Sequence, residues 1–241
     1  MLVGLGKPDD AAVWRLDDDQ ALVVTVDFFT PVVDTPYEYG AIAAANALSD
    51  LYAMGARPIF ALNVAAMPAN LPSEMIVEIM RGGAEKVREA GAAIAGGHSV
   101  QDPEPKYGLV AIGLAQTSDL ITKANGKPGD LLVLSKPLGT GVTTTALKNG
   151  MCSPGDAQQA IMWMSRLNRL AARIALENKV RAGTDITGYG LLGHALELAE
   201  ASQVGLQVWL SSIPFLHGVV DYARKGNFPG GSVDNRRFFG G

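Results

Sequence analysis

Apolar runs of strand length alternate with helix-like segments through the first half of the chain, and this alternation limits its fold more than any other feature. The run QALVVTVDFF is rich in β-branched residues and predicts a buried strand. The segment TPYEYGAIAAANALSDLYAMG predicts a helix, with Thr35 as N-cap, Pro36 in the first turn and Gly55 just beyond the end. Strands are predicted at 20–29, 59–67, 92–100 and 107–117, and helices at 35–55 and 72–91. This order of elements predicts an α/β or α+β fold.

A polar segment with Gly and Pro, SDLITKANGKPGD, follows Thr117 and predicts a boundary between two domains. The predicted domains are residues 1–117 and residues 118–241. In the second domain we predict a strand from residue 130, helices at 142–149, 157–178 and 190–202, and a strand at 205–210. The tail FPGGSVDNRRFFGG has no capping element, so we expect this domain to be incomplete.

The composition argues against several classes of protein. The 241 residues are 48% hydrophobic, which is enough for a sizeable core, and the formal net charge is −4. Because the chain has no Lys/Arg-rich run to neutralise phosphates, we expect no nucleic-acid partner. Gly, Pro or charged residues break the apolar runs well short of a bilayer span, so we expect no membrane segment. Cys152 is the only cysteine, so no intrachain disulfide can form, and we expect a cytoplasmic protein.

Four aspartates lie beside apolar or glycine-rich sequence, where an unpaired charge is costly to bury. They are Asp10, Asp27, Asp50 and Asp185. Taken alone, each has a plainer interpretation, such as Asp27 in a turn at a strand end, or Asp185 as the N-cap of a helix near Leu191. Taken together, they are dispersed carboxylates of the kind that hold Mg²⁺ against phosphate oxygens. The sequence therefore predicts a metal site.

Asn46 and Asp50 are four residues apart on the predicted helix and therefore share one of its faces. Small residues surround them, so backbone or ligand can approach closely. The two side chains are either a simple hydrogen-bonded pair or two oxygen ligands directed at one site. Both interpretations remain open from the spacing alone.

Two glycine-containing segments are candidate phosphate contacts. AGGHSV predicts a glycine turn whose backbone N–H groups, with His98 and Ser99, suit phosphate, although a bend between two strands is the plainer interpretation. GTGVTTT resembles a phosphate loop at a helix N-terminus, but the chain lacks the G-x-x-x-x-G-K-[ST] pattern of P-loop enzymes. We expect His194 and His217 to be structural, and we do not expect Cys152 to be a nucleophile.

Six segments together resemble the selenophosphate synthetase (selenide, water dikinase) family. They are PDDAAV, TVDFFTPVVD, AANALSDLYAMGARP, AIAGGHSV, LSKPLGTGV and TDITGYGLLGH, in the family's order and approximate spacing over nearly the whole chain. The helix motif alone points only to the wider superfamily of aminoimidazole ribonucleotide synthetase, thiamine-monophosphate kinase and a hydrogenase maturation protein. The resemblance implies the two-domain fold of that superfamily. It also implies a homodimer whose N-terminal domains build a shared β-barrel, with ATP near the interface.

The resemblance also implies an activity and a set of site residues. The family couples ATP, selenide and water to selenophosphate, AMP and orthophosphate. The positions implied to hold Mg²⁺ are Asp10, Asp27, Asn46, Asp50 and Asp185. The positions implied to contact ATP are Lys7, Pro8, Asp9, Asp27, Asp50, Gly97, His98 and Ser99.

The chain departs from the family pattern near its start. The family's nucleophilic Cys or Sec and a nearby Lys lie upstream of the PDDAAV motif, whereas here nine residues precede Asp10 and none is Cys. Lys7 is too close to the motif to be that Lys. We therefore expect a truncated form that has the ATP and metal half of the site but lacks the selenium-handling half. Two alternatives stay open: another ATP-dependent phosphotransferase or ligase of the superfamily, and a catalytically silent paralogue that binds nucleotide.

Overall fold

The computed structural model describes residues 1–239 and divides the chain into two compact units. Unit 1 comprises Met1–Thr122 and Ser165–Asp185, and unit 2 comprises Lys123–Met164 and the described residues from Ile186 onward. The elements are β1 (Ala12–Arg15), β2 (Gln20–Phe29), α1 (Pro36–Ala53), β3 (Arg57–Met67), α2 (Ser73–Glu89), β4 (Ala93–Gln101), β5 (Lys106–Gln116), α3 (Thr140–Lys148), α4 (Pro154–Ser165), α5 (Arg169–Glu177), α6 (Gly190–Ser202), α7 (Val219–Arg224) and α8 (Gly230–Phe239). The domain division at 117/118 stays a prediction, and residues 240–241 of its second part lie outside the described residues.

Unit 1 is built on a five-stranded sheet with the strand order β1-β2-β5-β3-β4. The β3–β4 pair is parallel, and the other neighbouring pairs are antiparallel. Strands β2 and β5 pair along their whole lengths, from Gln20 opposite Gln116 to Phe29 opposite Tyr107. This long ladder fixes the backbone of β2, and therefore the direction of each of its side chains.

One face of the sheet packs against helices. Residues of β5 and β3 that point to this face are fully buried, as are the small and aliphatic residues of α1. The buried positions include Leu109, Ala111, Ala61, Ala44, Ala47, Leu48 and Leu51. The period of two along the strands places the alternate residues on the opposite face, where Val26 and Phe28 are 57% and 48% exposed.

Helices α1 and α2 touch at a pair of glycines. A Cβ atom added to Gly40 would lie 1.9 Å from the carbonyl oxygen of Ile79, and one added to Gly82 would lie 2.1 Å from that of Tyr37. Two helix backbones can approach this closely only where side chains are absent. The glycines therefore hold α1 in place against α2.

The segment after residue 165 returns to unit 1 and packs on α1. The side-chain amide of Asn168 donates to the Ser49 hydroxyl at 2.8 Å, and Arg169 donates to the carbonyl oxygen of Glu89 at 3.2 Å. Farther along, a bridge between Thr122 and Ala182 leads the chain toward residue 185. These contacts attach both ends of α5 to the first unit.

Unit 2 has a smaller core, formed around Ala160, Leu216 and Val219. Helices α3 and α7 approach closely at Gly139, where an added Cβ would lie 2.4 Å from a methyl group of Val219. In the loop before α6, the buried His194 ring bonds to the backbone N–H of Thr187 through Nε2 at 3.2 Å. The expectation that His194 is structural stays a prediction.

The structure corrects several predicted elements. The glycine turn within 92–100 does not exist, because β4 continues through both glycines to Gln101. The predicted helix at 157–178 is two helices, α4 and α5, separated at 166–168. The strands predicted from residue 130 and at 205–210 are absent from the described chain, and Leu131 and Val133 are 91% and 90% exposed. An apolar run becomes a strand only beside a partner, and the described residues provide none here.

Within residues 1–239, no helix is both long enough and apolar enough to cross a bilayer.

Candidate metal and nucleotide site

Strand β2 and helix α1 face each other across a small polar patch in unit 1. Thr25 and Asp27 are two residues apart and therefore lie on the same side of β2. Asn46 and Asp50 lie one turn apart on α1, among buried alanines. The patch pairs each of the two acids with a neutral polar side chain of the opposite element.

The two acids are held by neutral donors from the opposite element. The Thr25 hydroxyl donates to Asp50 Oδ2 at 2.5 Å, and Asn46 Nδ2 donates to Asp27 Oδ2. Asn46 therefore pairs with Asp27 and not with Asp50, its neighbour on the helix. Neither acid forms an ion pair with Lys or Arg within the described part of the chain.

Asp10 and Asp185 form a second pair of acids in unit 1. The Thr184 hydroxyl donates to Asp10 Oδ1 at 2.9 Å, and one carboxylate oxygen of Asp10 lies within 4.8 Å of one of Asp185. Asp185 is only 9% exposed. It is not a helix N-cap, because α6 begins at Gly190 with Tyr189 in the cap position.

Burial and three other acids raise the pKa of Asp50. Burial, followed by the charge of Asp185, raises the pKa of Asp50 to about 8, and the charges of Asp27 and Asp10 act in the same direction. The hydrogen bond from Thr25 only partly opposes this rise. Burial also raises the pKa of Asp27, against the lowering effect of Asn46. The charges of Asp10, Asp27 and Asp185 therefore act on Asp50, and a metal site shared by these acids and Asn46 stays a prediction.

Asp27 lies inside β2, where it pairs with Leu109, so the interpretation of Asp27 as a strand-end turn residue is wrong. Its position in a regular ladder leaves the carboxylate on the helix-facing side. The alternation of side chains along the strand, and not a turn, sets the direction of the Asp27 carboxylate.

The predicted nucleotide-contacting residues occupy two places in unit 1. Lys7 and Pro8 are exposed, and Asp9 Oδ1 accepts a hydrogen bond from the backbone N–H of Asp10 at 3.0 Å. This segment therefore leads directly to the acid Asp10. Gly97, His98 and Ser99 are exposed on β4. Strands β5 and β3 separate β4 from β2, so one copy of the sheet holds these residues apart from the acids.

The residues 97–99 are extended backbone rather than a turn, and Gly97 is required there by a close contact. Its φ is 153°, and a Cβ atom on it would lie 2.3 Å from the carbonyl oxygen of Asn63 on β3. Asn63 in turn accepts a hydrogen bond from the buried Tyr107 hydroxyl at 2.8 Å. The core therefore fixes the position of this edge strand.

The other polar candidates have structural explanations within unit 2. The hydroxyl groups of Thr143 and Thr145 donate to the carbonyl oxygens of Gly139 and Gly141, at 3.1 and 2.8 Å, inside the GTGVTTT segment. Burial raises the pKa of the Cys152 thiol, which disfavours the thiolate that a nucleophile requires. His217 is exposed and bonds to Asp156 at 2.7 Å.

The sequence interpretation missed two residues, Thr25 and Thr184. The Thr25 hydroxyl donates a hydrogen bond to Asp50, and the Thr184 hydroxyl donates one to Asp10. A signal was available for both, since Thr25 precedes Asp27 by two residues on a strand and Thr184 directly precedes Asp185. Neither spacing shows which acid the hydroxyl contacts, because that depends on tertiary packing.

The donor set fits a hard divalent cation. Carboxylate and amide oxygens are the ligands that Mg²⁺ takes in proteins, and neutral Thr and Asn donors orient the acids without cancelling their charge. Burial first, and then the negative charges of Asp185, Asp27 and Asp10, raise the pKa of Asp50. In this arrangement, Asp10, Asp27, Asp50 and Asp185 can supply oxygens to a metal, with Asn46 adding its carbonyl oxygen.

Comparisons with known proteins agree with this fold. The family model "AIR synthase related protein, N-terminal domain" matches residues 8–115, and "AIR synthase related protein, C-terminal domain" matches residues 127–224. Thiamine monophosphate kinase from Aquifex aeolicus has a similar structure, with a TM-score of 0.76 and 18% identity over 92% of this chain and 77% of that one. Hydrogenase maturation protein HypE in complex with ATP gives a TM-score of 0.73 at 23% identity, over 93% and 68% of the two chains. The predicted fold class is confirmed: the chain is of the AIR synthase-related class.

Sequence relatives identify the family within this class. Selenide, water dikinase from Caldanaerobacter subterraneus subsp. tengcongensis is 52% identical over 241 residues, which are 100% of this chain and 70% of the relative. The protein of the same name from Carboxydothermus hydrogenoformans is 49% identical over 237 residues, 98% of this chain and 69% of the relative. The chain belongs to the selenide, water dikinase family, as the motif resemblance predicted.

Proposed function

We propose that this chain is an ATP- and Mg²⁺-dependent enzyme that forms selenophosphate, AMP and orthophosphate from ATP, selenide and water. The observation that carries the proposal is the effect of three other acids, Asp10, Asp27 and Asp185, on Asp50, together with about 50% identity to selenide, water dikinases. Selenide is an anionic nucleophile, so the charge of the ATP phosphates must be neutralised before it can reach phosphorus. Carboxylate-bound Mg²⁺ supplies that neutralisation without a P-loop lysine.

The site residues have distinct roles in this proposal. Asp10, Asp50 and Asp185 hold Mg²⁺ against the phosphates, and Asp27 and Asn46 complete the oxygen donor set. Lys7, Pro8 and Asp9 lie on the segment that leads into the acidic patch, and they contact the nucleotide there.

Gly97, His98 and Ser99 contact the nucleotide from the partner subunit of a homodimer. Two strands separate them from the acids within one copy of the sheet, and this distance supports a contribution in trans. Their exposure on an edge strand is consistent with a contact across an interface.

The proposed dimer forms through the sheet face that the helices leave open. Trp14, Val26, Phe28 and Val100 are exposed large hydrophobic residues on unit 1, and Val26 and Phe28 share one side of β2. Two such faces packed together would bury this apolar surface in a shared β-barrel. Residues 1–117 would then be the ATP-binding, metal-binding and dimerisation domain, 118–241 the second domain, and the cytoplasm the location of the enzyme.

The test is a ³¹P NMR assay of the product of the longest reading frame that encodes this chain, with ATP, Mg²⁺ and selenide under anaerobic conditions. We expect selenophosphate, AMP and orthophosphate to form together, and we expect none without selenide. The Asp50→Ala variant should be folded and inactive. An Asp50→Ala enzyme with normal Mg²⁺-dependent turnover would rule out the site assignment.

The same assay separates the alternatives. Conversion of ATP to ADP that is indifferent to selenide would contradict the proposal and favour another phosphotransferase of the class. Binding of Mg²⁺ and ATP without any turnover would also contradict it, and would favour a silent paralogue that binds nucleotide.

A further inference from the structure

The contact between Thr25 and Asp50 joins the strand and the helix that carry the acidic patch. The 2.5 Å hydrogen bond engages Asp50 Oδ2, so the carboxylate cannot rotate freely about its last bond. Thr25 is itself fixed, since its backbone pairs with Ala111 within the long β2–β5 ladder. The direction of the second oxygen, Oδ1, is therefore set by a rigid part of the sheet.

The donor is neutral, and this matters for a metal ligand. A lysine or arginine at this place would fix the carboxylate equally well but would cancel the charge that attracts a cation. A hydroxyl group orients the acid and leaves its negative charge in place. Asn46 on the helix likewise donates to Asp27 on the strand, so it orients this second acid without cancelling its charge.

We propose that Thr25 is a positioning residue, which orients Asp50 so that one of its oxygens is presented to Mg²⁺. This inference rests on the metal site proposed above, and it adds a residue outside the set of ligands. Residues that orient metal ligands contribute about 10- to 100-fold to metal affinity when they are removed. Thr25 acts through Asp50 and touches neither the metal nor the nucleotide.

The role predicts a difference between two cations. Mg²⁺ needs near-ideal octahedral geometry, whereas Ca²⁺ accepts irregular arrangements of oxygen ligands. Loss of the Thr25 hydroxyl should therefore weaken Mg²⁺ binding more than Ca²⁺ binding. A purely structural effect on folding would weaken both cations equally.

The experiment measures binding of Mn²⁺ by electron paramagnetic resonance, with Mg²⁺ and Ca²⁺ as competitors, on the wild-type chain and its variants. In Thr25→Val, a β-branched replacement suited to a strand, we expect Mn²⁺ and Mg²⁺ affinity to fall about 10- to 100-fold and Ca²⁺ affinity to fall less. Thr25→Ser should retain most of the affinity, because it keeps the hydroxyl group. Thr143→Val is the matched control, since it removes a buried hydroxyl in unit 2, and it should bind metal as the wild type does.

The outcomes separate the two proposals. If wild type binds metal, Asp50→Asn does not, and Thr25→Val equals wild type, the positioning role is wrong while the metal site stands. Equal losses of Mg²⁺ and Ca²⁺ affinity in Thr25→Val would also overturn the positioning role. If wild type binds no metal, or Asp50→Asn binds as tightly as wild type, the metal site itself is wrong and the inference fails with it.

Discussion

Asp50 is a half-buried acid, and within the described part of the chain no Lys or Arg forms an ion pair with it, so its ionised form raises the free energy of the folded state. Its carboxylate lies among alanines, accepts one hydrogen bond from a neutral hydroxyl, and senses the charges of three other acids. The folded chain therefore contains electrostatic repulsion that a bound cation would relieve. Electrostatic repulsion of this kind lowers the free energy of unfolding of the metal-free protein.

Replacing Asp50 with Asn should stabilise the metal-free protein. The substitution removes the cost of burying an acid whose pKa is raised to about 8, while keeping an oxygen that can accept the Thr25 hydrogen bond, so we expect a gain of about 1 kcal/mol or more at pH 7 in EDTA. Urea unfolding followed by circular dichroism measures this change. A clear loss of stability in Asp50→Asn would show that the acid makes favourable contacts in the absence of metal.

Part of the site was predictable at this scale. The identities and sequence neighbours of Asp10, Asp50 and Asp185 predict a metal site, because burying an unpaired carboxylate in apolar sequence costs free energy that a bound cation offsets. The partner of each acid was not predictable, since Thr25 is 25 residues away from Asp50 in sequence. The interpretation of 97–99 as a turn failed for a related reason: the glycines there serve a close approach between strands, which a single sequence cannot distinguish from a turn.

At the scale of elements, the first unit follows its sequence pattern closely. Strands β2, β3 and β5 and helices α1 and α2 lie where hydrophobic periodicity predicts them, because each buries one face or both within the same unit. Among residues 1–239, the strands predicted from residue 130 and at 205–210 are absent, although their apolar runs are comparable. Strand formation depends on a partner that periodicity alone does not supply.

The contact between α1 and α2 should not tolerate a side chain. Gly40→Ala places a Cβ atom against the Ile79 carbonyl, so we expect a loss of about 1–3 kcal/mol in the free energy of unfolding. Gly155→Ala is a suitable control, because a Cβ at that helical position meets nothing within 4 Å. Thermal unfolding of both variants measures the difference. Equal stability of the two would contradict the close packing of the helices.

The start of α4 depends on one carboxylate. Asp156 accepts hydrogen bonds from the Tyr222 and Ser153 hydroxyls at 2.5 and 2.7 Å and bonds to His217 at 2.7 Å. The hydrogen bonds from Tyr222, Ser153 and His217 lower the pKa of Asp156 from 3.8 to about 2. A lowered pKa contributes stability at neutral pH, and this contribution disappears as the pH falls from about 4 toward 2.

Asp156→Asn should therefore destabilise the protein by about 1–2 kcal/mol at pH 7, which is typical of a lost cap or charged hydrogen bond. The difference from wild type should shrink as the pH is lowered below about 4, because the acid of the unfolded chain is protonated first and the acid of the folded chain follows near pH 2. Urea titrations at a series of pH values measure it. A difference that stays constant down to acid pH would show that the charge of Asp156 is not the source.

At the scale of the whole molecule, the open apolar face of the sheet predicts self-association. Phe28→Glu introduces a charge on that face, where the wild-type ring is 48% exposed, and we expect it to convert a dimer into a monomer. Val77→Glu on α2 is a matched control, since Val77 is a 60% exposed apolar residue outside the sheet. Light scattering after size-exclusion chromatography gives the masses. A monomeric wild type, or a dimeric Phe28→Glu, would contradict the proposed interface.

ATP binding by this chain is the decisive test of the metal and nucleotide site, because the acids around Asp50 are proposed to bind nucleotide through Mg²⁺. Isothermal titration calorimetry of ATP into the purified chain, with Mg²⁺ and then with EDTA, measures it. We expect saturable ATP binding by wild type that requires Mg²⁺ and that is lost in Asp50→Asn, although that variant is folded. ATP binding that is unchanged by EDTA, or that is equally tight in Asp50→Asn, would contradict it.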